Sequence, residues 1–154
     1  MSALYHDAAL SWLHFVLAFI LVASIAAEAF VLRLPVDGRV ARLLLRIDLF
    51  YGVSATLLVL AGVSRVIWGA KGWPYYQDQP FFWAKMITFG VIGLLSIMPT
   101  RAYIRWVRQA GAGATFAVPE AEAKRTRRIV TIEAHLVALL LLFAALMARG
   151  IGAA

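Results

Sequence analysis

The sequence predicts an all-α polytopic membrane protein, in which four transmembrane helices form an antiparallel bundle and residues 1–154 form a single domain. Composition is the first indication: 63% of the 154 residues are hydrophobic and 15% are charged, whereas soluble domains have about 45–50% and about 25%. Mean hydropathy is +0.83. The second indication is the order of the chain, because four long apolar runs alternate with polar, often basic segments, as membrane helices alternate with loops.

The four apolar runs predict helices over about residues 8–32, 43–68, 81–98 and 129–147. A turn at residues 35–38 separates the first two, since this segment combines proline, aspartate and glycine. The third helix is expected to end before Pro99, because proline has no amide hydrogen to donate and disfavours a helical residue before it. Residues 101–108 then form a basic interfacial continuation, and the small-residue segment 111–122 links it to the fourth helix.

Basic residues concentrate in two of the three loops, within a chain whose formal net charge is +7. The loop after the first helix and the loop before the fourth together contain eleven of the 15 Lys and Arg residues. Cytoplasmic loops carry an excess of positive charge, so this bias predicts a protein of the bacterial inner membrane with both termini outside. Charges placed in membrane loops give no indication of a nucleic-acid partner. The absence of cysteine excludes disulfides and thiolate metal sites.

Two titratable residues, His14 and Glu28, lie near the ends of the first apolar run. Only Ser24 is polar among the 13 residues between them. Their spacing corresponds to roughly 21 Å and nearly four helical turns, which places both on almost the same face. Ionisable residues at membrane depth are costly and mark functional sites by default. The alternative for each is a simple hydrogen bond to a neighbouring helix.

The predicted topology sorts the polar residues of the membrane helices by depth. Four fall near the cytoplasmic side: Glu28, Asp48, Glu133 and His135. We expect Glu28, Asp48 and His135 to form a buried polar cluster. Glu28 and His135 lie at matching levels, roughly 8 Å and roughly 10 Å inside their flanking arginines, which predicts that they pair. Asp48 or Glu133 could compete for the same histidine.

Three residues fall together near the outer side: His14, Arg65 and Lys85. His14 is the candidate metal-binding residue, as an axial ligand of haem, and His135 cannot be its partner because the two lie roughly 18 Å apart in depth. Lys85 is the available second ligand, and Arg65 could neutralise a haem propionate or hold a quinone head group. Alternatively, His14 is a packing residue and the two cations extend to the lipid headgroups.

An aromatic-rich segment, residues 69–82, connects the second and third helices. Tryptophan and tyrosine concentrate at membrane–water interfaces, so the segment is typical of an aromatic belt. It could also be a lid, with residues 73–76 closing a pocket formed by His14, Lys85 and Arg65.

Short motifs within residues 10–100 carry a resemblance to known families. Trp-Leu-His occurs on the first helix, Leu-Leu-Arg at the entry of the second, and Trp-Ala-Lys at the start of the third. This order resembles a bacterial family of small four-helix membrane proteins with no assigned function. More distantly, it is similar to the four-helix bacterial protoporphyrinogen oxidases and the copper-resistance membrane domain.

The resemblance to the oxidases implies roles for two residues: His14 would be the haem-ligand histidine and Lys85 the essential lysine. The chain differs from the oxidase pattern at residues 28–33 and 99–100, where the oxidases carry further histidines.

These observations favour functions of three classes. The first is a b-type haem or porphyrin-binding redox protein, with haem b as cofactor and a porphyrin or quinone as a further partner. The second is a non-enzymatic scaffold or accessory subunit without a cofactor, whose polar residues serve helix packing and which could form a homo-oligomer. The third is a proton or ion pathway through Glu28, Asp48 and His135. The sequence contains no nucleotide-binding loop, HExxH motif or nucleophile elbow.

Overall fold

The computed structural model describes residues 2–68, 72–111 and 116–152 and confirms the all-α prediction. Its helices are α1 (Ser2–Val31), α2 (Gly38–Trp68), α3 (Gly72–Gln77), α4 (Pro80–Ala110) and α5 (Glu120–Ala148). All but α3 are long and apolar enough to cross a membrane. Some predictions fall on residues outside the described ranges. These are residues 69–71 of the predicted aromatic segment, residues 112–115 of the predicted linker, and residues 1, 153 and 154 of the predicted domain.

The four long helices form an antiparallel bundle. Helix α1 packs against α2 and α5, and α4 packs against the same two helices, so α1 and α4 face each other across the centre. The short helix α3 contacts α2 and α4. At one end of the bundle, the amide of Val118 donates to the carbonyl of Val36 at 2.9 Å. The α1–α2 and α4–α5 connections, which flank the basic segments, therefore lie side by side.

The interior is built from one narrow face of each long helix. On α1 the buried apolar residues recur every three or four positions, as in Leu17, Leu21 and Ile25. The remaining faces are also apolar, since Phe19 is 73% exposed and Leu94 is 71% exposed. A soluble protein would bury such side chains, whereas a bilayer solvates them, so this surface agrees with the predicted membrane environment.

Helix α2 begins earlier than the apolar pattern predicts, at Gly38 instead of residue 43. Asp37 explains this start, because its side-chain oxygen accepts hydrogen bonds from the amides of Arg39 and Val40, both at 2.8 Å. These amides have no partner inside the helix, and a capping aspartate satisfies them.

The predicted end of the third membrane helix is wrong, because α4 continues through Pro99 to Ala110. Pro99 is among the fully buried residues. Proline is tolerated inside membrane helices where neighbouring groups and small local adjustments satisfy the carbonyl that it leaves free. Helix α5 likewise begins at Glu120 instead of residue 129. Many of the basic residues predicted to lie in loops therefore lie on helical extensions.

Candidate functional site

Three cationic or titratable residues from different helices lie within electrostatic range of one another near one end of the bundle. We call His14, Arg65 and Lys85 the His14 cluster; they come from α1, the last turn of α2 and the start of α4. Both Arg65 and Lys85 lie within electrostatic range of the imidazole, and Arg65 acts on Lys85 as well. The structure thus places together the three residues that the sequence grouped by depth.

The imidazole of His14 lies against α2 beside Gly62. A Cβ atom added to Gly62 would lie 3.8 Å from Cε1 of His14. Gly62 precedes Arg65 by one helical turn, so the glycine and the guanidinium face the same side of α2. The imidazole and the guanidinium of Arg65 therefore lie on the same side of α2.

Polar atoms of the His14 cluster lack partners. Nδ1 of His14 and Nε of Arg65 are both buried and form no hydrogen bond. Among the described residues, no carboxylate forms an ion pair with Arg65 or Lys85. Buried donors are normally hydrogen-bonded, so the cluster has unused capacity for a ligand with acceptor groups, above all an anion.

The aromatic segment packs beside the His14 cluster through Phe82. Its residues 72–77 form α3. Trp73 lies edge-on to Phe82 with ring centroids 6.2 Å apart, and Tyr76 contacts the same ring at 5.5 Å. Nζ of Lys85 lies 5.5 Å from the Phe82 ring centroid, a cation–π contact. Trp73 is 47% exposed and Tyr76 is buried, so the segment offers both an interfacial face and a face toward the bundle.

Three carboxyl groups lie inside the bundle near its other end. We call Glu28, Asp48 and Glu133 the carboxyl cluster; they come from α1, α2 and α5. Glu28 and Glu133 are each 1% exposed and Asp48 is 7% exposed. Glu28 lies within electrostatic range of both other carboxyls. No Lys, Arg or His of the described chain forms an ion pair with any of them.

Helix α4 supplies hydroxyl donors to this cluster. The hydroxyl of Tyr103 donates to Oε2 of Glu28 at 3.0 Å. The hydroxyl of Thr100 donates to Oδ1 of Asp48 at 2.9 Å. Both hydrogen bonds join helices, from α4 to α1 and from α4 to α2, and both satisfy a carboxyl oxygen that would be costly to bury alone.

Part of the hydrogen-bonding capacity of the carboxyl cluster remains unused. Oε1 of Glu28 and Oε1 of Glu133 are buried without a partner. The hydroxyl of Tyr51, which is 4% exposed, is also unpartnered. It lies within electrostatic range of all three carboxyls. Hydroxyl and carboxyl groups therefore lie close together, and the protein's own side chains leave part of their hydrogen-bonding capacity unused.

His135 does not join this cluster, and the predicted Glu28–His135 pair does not form. His135 is exposed, and its Nδ1 lies 2.6 Å from the carbonyl oxygen of Thr131, one turn earlier on the same helix. The inward face of α5 carries Val130, Glu133 and Val137 instead. Because two residues correspond to roughly 200° of rotation on a helix, burying Glu133 turns His135 away from the bundle.

The hydrogen-bond donors on α4 were not predicted from the sequence. Tyr103 and Trp106 were expected in a basic interfacial continuation, but both are 0% exposed and pack against each other with ring centroids 5.6 Å apart. Nε1 of Trp106 donates to Glu122 at 2.7 Å, and Arg105 also bonds this carboxylate, which joins α4 to α5. The spacing of these residues indicates a helix that continues past residue 98 with one buried face. The buried residues recur at helical spacing: Pro99, Ala102, Tyr103 and Trp106.

A groove of about 810 Å³ opens between α2 and α4, and residues of α1 and α5 also line it. Most of its lining is apolar, including Leu57, Phe89 and Ile92. Asp48, Tyr51 and Thr100 also line it, so the groove leads to the carboxyl cluster. The His14 cluster does not line this groove.

In the comparison with known proteins, the chain matches a family model described as "Predicted membrane protein (DUF2214)". The match agrees with the expected family of membrane proteins, whereas it does not support the resemblance to the protoporphyrinogen oxidases. No curated protein and no solved structure matches the chain. Since the matched region, residues 6–152, covers nearly the whole chain, the protein belongs to the DUF2214 family of predicted membrane proteins.

Proposed function

We propose that the protein is a redox protein of the bacterial inner membrane that binds haem b, or a related carboxylated tetrapyrrole, at the His14 cluster. The observation that supports this most is the buried, unpartnered Nδ1 of His14, with Lys85 of another helix within electrostatic range of the imidazole. The short motifs that resemble the protoporphyrinogen oxidases assign the haem ligand and the essential lysine to the same two residues.

The donor set suits such a group. A neutral imidazole and an amine are both able to ligate iron, and a guanidinium pairs with the carboxylate of a propionate. His14 and Lys85 would hold the metal, and Arg65 would orient the group by one carboxylate. Haem supplies one-electron redox chemistry when bound. A quinone head group, whose carbonyl oxygens accept hydrogen bonds, is the electron-exchange partner that the unpartnered Nε of Arg65 would suit.

The test is the haem content of the detergent-purified protein, expressed with ample haem supply. Absorption spectra before and after dithionite, and pyridine haemochrome assays, would be recorded for the wild type, His14→Ala and Lys85→Ala. The wild type is expected to carry haem, His14→Ala to lose most of it, and Lys85→Ala to shift its Soret band or lose it. His135→Ala and Lys124→Ala are matched controls, because both residues lie outside the His14 cluster, and both variants should keep wild-type spectra.

Two results would contradict the proposal at different levels. A wild-type protein without haem under these conditions would exclude the haem-binding function. Haem that survives His14→Ala with an unchanged spectrum would show that the ligand assignment is wrong while the class of cofactor is right.

A scaffold or accessory subunit is the second candidate function. The observation that favours it is the use of polar side chains for helix packing, since Tyr103 joins α4 to Glu28 of α1 and Thr100 joins α4 to Asp48 of α2. On this alternative the purified protein is colourless, and substitutions in the carboxyl cluster lower the free energy of unfolding without any spectroscopic effect. Light scattering of the same sample would determine whether the chain forms a homo-oligomer.

A further inference from the structure

The groove between α2 and α4 combines apolar walls with a polar floor. Its walls include Leu57, Phe89 and Ile92, and its floor is formed by Asp48, Tyr51 and Thr100. Nothing in the described residues fills its volume of about 810 Å³. Leu60, which also lines it, is 57% exposed, so the groove is accessible from the lipid-facing surface of the bundle.

The carboxyl group of the floor has no cationic partner in the described part of the chain. Asp48 belongs both to the groove and to the carboxyl cluster, and Glu28 and Glu133 lie behind it within electrostatic range. Within the described residues no cationic side chain forms an ion pair with these carboxyls. A buried carboxyl group without a cation stays protonated, whereas a cation bound beside it stabilises the ionised form.

An independent observation comes from Tyr51. Its side chain is 4% exposed, lines the groove and lies within electrostatic range of all three carboxyls, yet its hydroxyl has no hydrogen-bond partner. A buried tyrosine hydroxyl normally has a partner. Its ring also provides an aromatic surface beside the floor, and aromatic rings attract cations.

We propose that the α2–α4 groove binds a lipophilic organic cation, whose apolar groups contact the groove walls and whose charged centre lies at Asp48 and Tyr51. A bare metal ion does not suit the site, because no group of three or more His, Asp or Glu side chains within 2–68, 72–111 and 116–152 is arranged to hold one. A larger cation with an apolar body matches both the carboxylate floor and the hydrophobic walls. The groove is separate from the His14 cluster, so this proposal does not depend on haem binding.

Equilibrium dialysis of the full-length protein in a neutral detergent, with tetraphenylphosphonium as the cation, tests the proposal. Saturable binding of one cation per chain is expected for the wild type. Asp48→Asn should weaken binding by at least about tenfold, because it removes the carboxyl group that can ionise beside a bound cation. The amide oxygen of asparagine still accepts the hydroxyl of Thr100, so the variant retains the contact between α2 and α4.

A second variant tests the shape of the groove and leaves its charge unchanged. A Cβ atom at Gly93, which lines the groove, would meet no atom within 4 Å. The Cβ atom of Gly93→Leu therefore enters open space, and the larger side chain, which narrows the groove, should also reduce binding by at least about tenfold. Glu120→Gln, which removes an exposed carboxylate at the start of α5, is the control and should change the affinity less than about twofold.

Tetraphenylborate, an anion of the same shape, separates charge recognition from apolar binding. It should neither bind saturably nor displace the cation. Equal binding of the two ions, or unchanged affinity in both Asp48→Asn and Gly93→Leu, would show that the groove holds acyl chains or detergent only. Absence of saturable binding in the wild type would likewise overturn the proposal.

Discussion

Glu28 is buried in the bundle because a residue 75 positions later supplies its hydrogen bond. The Tyr103 hydroxyl reaches the carboxyl from the opposite side of the bundle, while Asp48 receives an equivalent bond from Thr100. Neither donor is adjacent in sequence to its acceptor. At the scale of single residues, the carboxyl cluster therefore depends on α4 being in place, and α4 in turn is held to two other helices by these bonds.

Tyr103→Phe should lower the free energy of unfolding by about 1–3 kcal/mol, because it leaves a buried carboxyl oxygen of Glu28 without its donor. In a double-mutant cycle with Glu28→Gln, the two residues should show a coupling energy of about 0.5–3 kcal/mol. Both quantities can be measured by unfolding in mixed micelles with increasing amounts of a denaturing detergent. Tyr5→Phe is the control, since Tyr5 is 70% exposed and should have almost no effect. Strictly additive losses for Tyr103 and Glu28 would contradict the contact.

At the scale of a helix, the start of α2 depends on one exposed side chain. Hydrogen bonds from the amide of Val40, and then from that of Arg39, hold the pKa of the Asp37 carboxyl below its ordinary value. A carboxyl with a lowered pKa in the folded state stabilises the fold when ionised. This stabilisation is fully present above the ordinary aspartate pKa of about 3.9 and is lost as the pH falls through the lowered value.

Asp37→Ala should therefore lower the Tm at neutral pH, because the first amides of α2 lose their cap. The difference in Tm between the wild type and the variant should shrink as the pH is lowered below about 3.9. Thermal unfolding followed by circular dichroism at several pH values measures both effects. Asp78→Ala, at another exposed aspartate, is the control. A Tm difference that stays constant down to the most acidic pH would refute the assignment of the cap.

At the scale of the whole molecule, the two connections flanked by basic segments meet at one end of the bundle through the Val36–Val118 hydrogen bond. The same end carries a surface cleft lined by Lys124, Arg125, Arg127 and Arg128. A concentration of arginine and lysine at one end of a membrane bundle is typical of the cytoplasmic side. The predicted orientation would place the His14 cluster in the outer half of the bundle.

The orientation can be tested with reporter fusions. A fluorescent protein fused after Gly111 should fluoresce in the cytoplasm, whereas alkaline phosphatase fused to the C-terminus should be active outside, because the basic connections remain inside. Exchanging the two reporters serves as the control and should abolish both signals. Cytoplasmic fluorescence from the C-terminal fusion would show the opposite orientation.

The sequence alone was sufficient to predict that the chain forms four long helices. Their apolar length and the positions of the basic segments are properties of contiguous residues, so counting along the chain reveals them. Counting residues along each helix also gives the depth of each polar residue. The residues grouped by depth near one end are His14, Arg65 and Lys85, and they lie within electrostatic range of one another. The continuation of α4 through Pro99 was not predicted, because the loss of one hydrogen bond is compensated by packing that local sequence does not show.

Only the tertiary structure decided which face of each helix points inward. These helices are apolar on nearly all sides, as the exposed Phe19 and Leu94 show. A leucine side chain is about equally stable in lipid and in the protein interior, because lipid tails are as apolar as leucine. Hydrophobic periodicity therefore does not distinguish Glu133 from His135, which lie on opposite faces of α5. The choice is made by packing and by polar partners from distant helices, such as the hydroxyl of Tyr103, and these contacts exist only once the bundle has assembled.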